Sequence, residues 1–205
     1  MKIDIHTHSS YSDGANTPGE MVRYAKKIGL DGIAITDHNV IDGAIKALRY
    51  NSEDFTVIPG IEVSSKEGHI LGLGITELIE RAIPAEEVVE RIHELGGIAI
   101  AAHPYDRFRS GVGDLIYKID FDAIEVINGR TILTTRDMRK IAKNIKLPKV
   151  GGSDAHSLDE LGSVSIVVDN DPIESILKGN VEIVADVKKL RVLAAFLKRR
   201  VKRFL

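Results

Sequence analysis

The sequence predicts an α/β fold closed into a barrel, with the C-terminal ends of the strands gathered around one site. Three observations carry this. Short β-branched runs alternate with helical patterns along most of the chain, as expected for βα units. His, Asp and Glu recur at or just past the ends of those runs, at His6, His38, Glu62, His103 and Asp154. Groups from five strand ends meet only if the ends form a ring, because an open sheet spreads them by about 4.8 Å per strand step. Finally, the chain has 205 residues. Eight-unit barrels typically need about 250, so a contracted or seven-stranded barrel suits this length better.

The elements follow in order. Buried parallel strands are predicted at 3–5, 32–36, 56–63, 98–101, 123–127, 149–151, 164–168 and 181–185, with a further strand at 70–75. Parallel neighbours require right-handed crossovers. Thr17-Pro18-Gly19-Glu20 reads as a capping box with Pro in the first turn, and Gly29 ends that helix. A second helix runs from Pro84 to Gly96-Gly97, and a third is predicted over 131–143. No repeat or low-complexity linker interrupts the pattern, so one domain over 1–205 is expected.

Composition narrows the function classes. Apolar residues make up 43% and charged residues 28%, which places the chain among globular domains rather than disordered ones. There is no Cys, which excludes disulfides and thiolate metal sites. No apolar run approaches the roughly 20 residues that span a bilayer, and no signal peptide precedes the first strand, so a cytoplasmic protein is expected. The absence of Cys and Gln, with only 3 Met and abundant Ile, Glu and Lys, follows the thermophile tendency.

The net charge of −2 conceals an asymmetry: eight basic residues and no acidic one follow Asp186. Within Lys188–Leu205, residues Leu190, Leu193, Leu197, Val201 and Phe204 form a helical stripe. Such a basic amphipathic helix suits packing on the barrel, and it equally suits contact with a nucleic-acid backbone.

The donor residues are imidazoles and carboxylates without thiolate, a set that favours Zn²⁺, Mn²⁺ or Fe²⁺. His6 and His8 are two apart at a strand end and can address one ion. Taken singly, Asp13 in Ser12-Asp13-Gly14 reads as a turn residue, and Asp37-His38 as a helix N-cap with its neighbour. Their joint placement is the signal. His69 precedes a predicted strand instead of following one, and His93 lies inside a predicted helix and is left out of the site. No Gly-x-Ser-x-Gly and no Cys-His pair offers an alternative nucleophile.

The segments DIHTHSSYSDG, GIAITDHN, GIEVSS, GHILGLG, AAHPYD and GGSDAH occur in that order between residues 4 and 156. In these the chain resembles the PHP superfamily, the polymerase and histidinol phosphatase domain. The resemblance implies a distorted (β/α)7 TIM-like barrel, a trinuclear metal site and phosphoester hydrolysis. It implies one metal held by His6, His8, Glu62 and Asp154. Glu62 would bridge to a second held by His69 and His103, and a third would take Asp13, His38 and His156. Glu62, Asp154 and His156 are the expected catalytic residues, acting with a metal-bound hydroxide. Either a second metal-bound water or His156 would protonate the leaving group.

Three divalent ions with six neutral imidazoles and three carboxylates keep a charge of about +3, which suits an anionic substrate. Arg107 and Arg109 are candidates for the phosphate, with Asn128, Arg130 and Lys66 behind them. As loop residues they equally fit a solvated surface. Asp4 and Asp37 are expected to orient ligand histidines. A small phosphomonoester or nucleotide is the expected substrate. The alternatives are a nuclease acting on DNA or RNA ends and a non-catalytic module.

Overall fold

The computed structural model describes residues 1–186; the predicted basic helix 188–205 lies outside them. The elements are β1 (Lys2–Asp4), α1 (Pro18–Lys27), β2 (Gly32–Ile35), α2 (Asp42–Ala47), β3 (Thr56–Ser64) and β4 (His69–Leu73). They continue as α3 (Ala85–Glu94), β5 (Ile98–Ala101), β6 (Ala123–Asn128), α4 (Met138–Asn144), β7 (Lys149–Gly152), β8 (Val164–Val167), α5 (Pro172–Leu177) and β9 (Glu182–Ala185).

Strands β1 to β7 follow one another around a nearly closed barrel. Its seam lies between β1 and β7. Past the strand ends Thr7 bridges Ala155 in parallel, and the His8 N–H donates to the Ala155 carbonyl at 2.8 Å. At the other end of β1, β8 takes the edge instead, pairing Ile3 with Ile166. The seven-strand expectation therefore holds.

Strand direction departs from it at two places. β4 runs antiparallel between β3 and β5, because Ser65–Gly68 folds into a tight turn with Ser65 Oγ donating to the Gly68 carbonyl at 2.6 Å. β8 is antiparallel to β1, and β9 to β8, and β9 is only partly buried. The remaining six strands are parallel, as predicted.

Side chains alternate between two buried clusters along each strand. Ala34, Ile58, Leu71, Ile100, Ala123 and Val150 fill the barrel interior with Ile3 and Ile5. Ile33, Ile61, Ile70 and Ala99 instead meet the helices through Met21, Val22, Ala44, Val88 and Ile92. The capping box of α1 is formed: Thr17 Oγ1 accepts from the Glu20 N–H at 3.3 Å, and Glu20 accepts from the Thr17 N–H at 2.8 Å.

The helix predicted over 131–143 begins only at Met138. Thr131, Ile132, Thr134 and Thr135 are β-branched and stay outside the helix, with Thr134 in an isolated bridge to Asp106. They pair with the loop after β5, the Arg107 N–H donating to Leu133 O at 3.0 Å and the Thr135 N–H to Tyr105 O at 2.8 Å. Asp137 then caps α4 by accepting from the Arg139 N–H.

Candidate metal centre

The first loop is built by a carboxylate. Asp37, past the end of β2, accepts from the Ser9 N–H at 2.7 Å, from Ser9 Oγ at 2.6 Å and from Ser12 Oγ at 2.6 Å. Those bonds fix the turn that presents Asp13. Gly43 makes room for them, since a Cβ there would lie 2.1 Å from Asp37 Oδ2. Asp4 does a similar job across the seam, accepting from the Ser153 N–H at 3.1 Å and the Gly162 N–H at 2.9 Å. Contrary to the expectation from sequence, neither carboxylate bonds a histidine ring; Asp37 holds Ser9 and Ser12, and Asp4 ties the backbone at Ser153 and Gly162.

Glu62, fully buried at the mouth of the barrel, is the hub. Its Oε2 lies 3.5 Å from His6 Nε2, 3.3 Å from His8 Nε2 and 2.9 Å from His38 Nδ1. Its Oε1 lies 3.1 Å from both His69 Nδ1 and His103 Nε2. His69 thus belongs to the cluster even though it opens β4, because β4 runs backwards and its start shares the mouth with the other strand ends. Asp154 Oδ1 is 3.3 Å from His8 Nε2 and 3.5 Å from His156 Nδ1. Asp13 Oδ1 completes the far side, 3.1 Å from His156 Nε2 and 3.9 Å from His38 Nε2. All nine expected donors are brought together. His93 is elsewhere, on α3, with its Nε2 2.8 Å from Asp122.

Sequence reasoning missed Glu125. This buried β6 carboxylate accepts from His6 Nδ1 at 3.0 Å, from the His103 N–H at 2.8 Å and from Asn128 Nδ2 at 2.9 Å. The bond to Nδ1 keeps the proton on that nitrogen, so Nε2, facing Glu62 and Asp154, is the one that would release its proton to a metal. Gly152 makes the approach possible, for a Cβ there would sit 2.4 Å from His6 Cβ and 2.9 Å from Glu125 Oε1. The available signal was a lone carboxylate in the apolar run Ala123–Asn128.

Two site residues hold left-handed backbone, His103 at φ 29° and Asp154 at φ 54°. Non-glycine residues there are strained by roughly 1–3 kcal/mol, and such strain concentrates at functional sites.

The arginines divide. Arg109 reaches in, donating to Asp154 Oδ2 and, through Nη2, to Asp106 at 2.8 Å and to Asn128 and Thr131 at 2.9 Å each. Arg130 lies against His156, its Nη1 2.9 Å from Nδ1. Arg107 is exposed and is not brought into the cluster, and Lys66 is likewise exposed.

Burial and mutual charge set the electrostatics. Burial works against a charged His6, but Glu125 and Glu62 outweigh it and hold its pKa up at about 9. Burial, with His156 beside it, pushes His8 well down. Glu62 is penalised by burial yet held well below the usual range by His6 and His38. Asp13, despite partial burial, is lowered to about 2 by His156 and His38.

Several inward atoms have no hydrogen-bond partner: His6 Nε2, both His8 nitrogens, Glu62 Oε2, His69 Nδ1 and His103 Nδ1. Buried polar atoms are normally paired, and so many unpaired lone-pair donors in one place fit metal ions. Donor atoms within 4.8 Å of one another form three sets, His6-His8-Asp154, His38-Glu62-His69 and His8-Asp13-His38-His156. The second set takes His38 where the resemblance implied His103.

A family model described as PHP domain matches residues 4–147, and one described as PHP-associated matches 136–192. An uncharacterized protein of Methanocaldococcus jannaschii is 38% identical over 162 residues, 73% of this chain and 91% of that protein. The phosphoribosyl 1,2-cyclic phosphate 1,2-diphosphodiesterase of Eggerthella lenta is 35% identical over 84 residues, 38% of this chain and 32% of that one. Among solved structures, a two-domain protein of Bacteroides vulgatus containing a predicted PHP-like metal-dependent phosphoesterase superposes with a TM-score of 0.70 at 18% identity, covering 90% of this chain and 64% of that chain. The donor cluster and the nearly closed barrel thus sit in a matched sequence frame: this chain belongs to the PHP domain family.

Proposed function

We propose that the protein is a metal-dependent phosphoesterase with a site for three divalent ions, acting on a small phosphorylated substrate. The observation that carries this is the convergence of unpaired, buried imidazole and carboxylate atoms on Glu62 and Asp154. His6, His8, Glu62 and Asp154 would hold one ion, Glu62 with His69 and His103 or His38 a second, and Asp13, His38 and His156 a third. Zn²⁺, Mn²⁺ and Fe²⁺ all match this nitrogen and oxygen donor set. Bound there, such ions lower the pKa of water and neutralise charge on phosphoryl oxygens.

The protein's own residues do the rest. Arg109 and Arg130 flank Asp154 and place positive charge beside the position a phosphate would take, although the Arg109 guanidinium is itself bonded to Asp154, Asp106, Asn128 and Thr131. Glu125 keeps His6 in the tautomer that offers Nε2. His156, with its Nε2 facing Asp13 and its Nδ1 tied to the Asp154 carbonyl, is placed to hold the outer ion. The Eggerthella relative's name, a phosphodiesterase, favours phosphoester chemistry over a non-catalytic module. So does the occupancy of every donor position by a competent residue.

The test is metal-reconstituted protein against a panel of phosphomonoesters, phosphodiesters and labelled oligonucleotides, with metal content measured in parallel. We expect metal-dependent release of phosphate or of a phosphomonoester. Fewer than two ions bound under saturating Mn²⁺ or Zn²⁺, or no turnover of any ester, would overturn the reading.

A further inference from the structure

The two oxygens of Asp154 have different surroundings. Oδ1 faces the imidazoles, 3.3 Å from His8 Nε2, 3.5 Å from His156 Nδ1 and 3.8 Å from His6 Nε2. Oδ2 instead accepts from the Arg109 guanidinium through Nη1 and from Asn128 Nδ2 at 3.3 Å.

Both donors are held from behind. Arg109 donates to Asp106 Oδ2 through Nε at 3.3 Å and Nη2 at 2.8 Å, and Nη2 also reaches Asn128 Oδ1 and Thr131 Oγ1 at 2.9 Å each. Asp106 is buried, and its Oδ1 accepts from the Phe108 N–H at 2.8 Å, which fixes that end of the guanidinium to its own loop. Nε and Nη2 are thus committed to protein acceptors and Nη1 to Asp154, leaving no parallel pair of N–H groups for bidentate contact with a phosphate. Asn128, also buried, donates to Glu125 Oε2 at 2.9 Å as well as to Asp154, and its Oδ1 accepts from the Arg130 N–H at 2.9 Å as well as from Arg109. Both donor hydrogens and both acceptor lone pairs of its amide are therefore used. Since Glu125 holds His6 Nδ1, one hydrogen-bonded unit with Asn128 as its joint supports His6 and Asp154 together.

We infer that Arg109 is a positioning residue that acts through Asp154: with Asn128 it saturates Oδ2, so that Asp154 offers a metal only Oδ1. This rests on the metal-dependent phosphoesterase reading and gives a different role to a residue that the sequence offered as a phosphate ligand. A carboxylate can bind a metal through one oxygen or two. A second oxygen would fill the coordination position that a catalytic ion keeps open for water or substrate. The bonds to Oδ2 also hold Asp154 in its left-handed backbone, at φ 54°, a conformation that persists only where its surroundings enforce it.

The test is the visible absorption of Co²⁺-loaded, substrate-free protein, with kcat and KM for a phosphoester measured alongside, in wild type, Arg109→Gln, Arg109→Lys and Asn128→Ala. Cobalt absorption weakens as coordination number rises. Arg109→Gln should therefore weaken the band before any substrate is added and lower kcat by roughly 10- to 100-fold, with KM changed far less. Arg109→Lys keeps the charge but has a single donor centre, and should recover the band and kcat in part. Asn128→Ala should shift both in the same direction as Arg109→Gln, and it leaves the ion pair of Arg109 with Asp106 in place should Arg109→Gln fail to fold. An unchanged band in Arg109→Gln overturns the inference, and a raised KM beside it would make Arg109 a substrate contact. No recovery in Arg109→Lys, with the melting temperature lowered in both variants, also overturns it by assigning the effect to the fold of the loop. The two levels separate cleanly. A weakened band in a protein that turns over no ester keeps the positioning role and removes the phosphoesterase reading. Turnover by wild type, with the band indifferent to Arg109 and Asn128, does the opposite.

Discussion

Around Glu62 the donors His6, His8 and His103 are sealed inside the barrel, whereas Asp13 and His38 on the outer side face the solvent. His6, His8 and Glu62 have no exposed side-chain surface, and Glu125 braces His6 from behind. On the other side, the Asp13 side chain is 50% exposed and that of His38 26%. Asp13 stands on a loop, while Glu62 stands on the longest strand of the sheet. The inner pocket is preorganised by packing and by a supporting carboxylate; the outer one is assembled by a turn that Asp37 ties down. We expect the inner ions to be the tight, slowly exchanging ones, and the outer ion to be the weak one that meets the substrate.

The largest effect should come from Glu62→Gln, which keeps the shape but removes the charge shared by five imidazoles. Turnover should fall by more than about 100-fold, beyond what losing a merely supporting partner costs. Elemental analysis should show inner ions lost and the outer one retained, with the circular dichroism spectrum unchanged. Near wild-type turnover with all metals bound would break the assignment. Next is Glu125→Gln, which removes the brace without touching a ligand position. Inner-site affinity should drop by roughly 10- to 100-fold and outer-site affinity should hold. An equal loss at both pockets would show that they are one cooperative unit.

Acid–base behaviour sharpens the same contrast in metal-free protein. His6 is raised to about 9 and His38 is also raised, in each case because neighbouring carboxylates outweigh burial. For groups raised above an unfolded value of 6.5, the stabilisation is full below that pH and is lost as pH climbs through the folded value. Glu62 and Asp13 are lowered, so both are ionised in either state across this window and add no slope. The melting temperature of chelator-treated protein should therefore fall between about pH 6.5 and 9. Metal-saturated protein should not share the decline, since metal needs the neutral imidazole and binds better as protons leave. Parallel curves with and without metal would mean that these imidazoles are not ligands.

How much of this was legible depended on which physical signal each feature left in the chain. The parallel strands were readable because burial on both faces leaves continuous apolar runs, as at Gly32–Ile35 and Ile98–Ala101. The donors were readable because histidine is rare and recurs here at the ends of predicted strands. Strand direction left no such mark. His69 looked misplaced because the reversal of β4 depends on a four-residue turn, not on the composition of the strand. Glu125 was hidden because one carboxylate among apolar residues forms no motif, and its partners His6 and His103 are distant in sequence. Helix α4 starts later than the sequence predicts because the β-branched chains of the segment before it pair with a loop some 30 residues earlier, a contact that leaves no local mark. Asp4 and Asp37 stand beside His6 and His38 in the sequence, which suggests a ring to orient. Their actual partners, Ser153, Gly162, Ser9 and Ser12, come into reach only when the barrel closes.

The smallest expected effect tests whether the outer pocket really depends on its loop. That loop is continuous with the start of α1: the Ser10 N–H donates to Asn16 O at 2.8 Å, and Thr17 caps the helix. Thr17→Ala removes the side-chain half of the capping box and should cost about 1 kcal/mol. In a chain of this size that lowers the melting temperature by roughly 2–4 °C. Because the lost bond lies next to the loop bearing Asp13, the outer ion should bind somewhat more weakly and exchange faster, while the inner ions are unaffected. A Thr17→Ser variant keeps the hydroxyl and should restore both properties. If instead the outer affinity is unchanged while stability falls, Asp13 is held by Asp37 alone, and the exposed pocket is as rigid as the buried one.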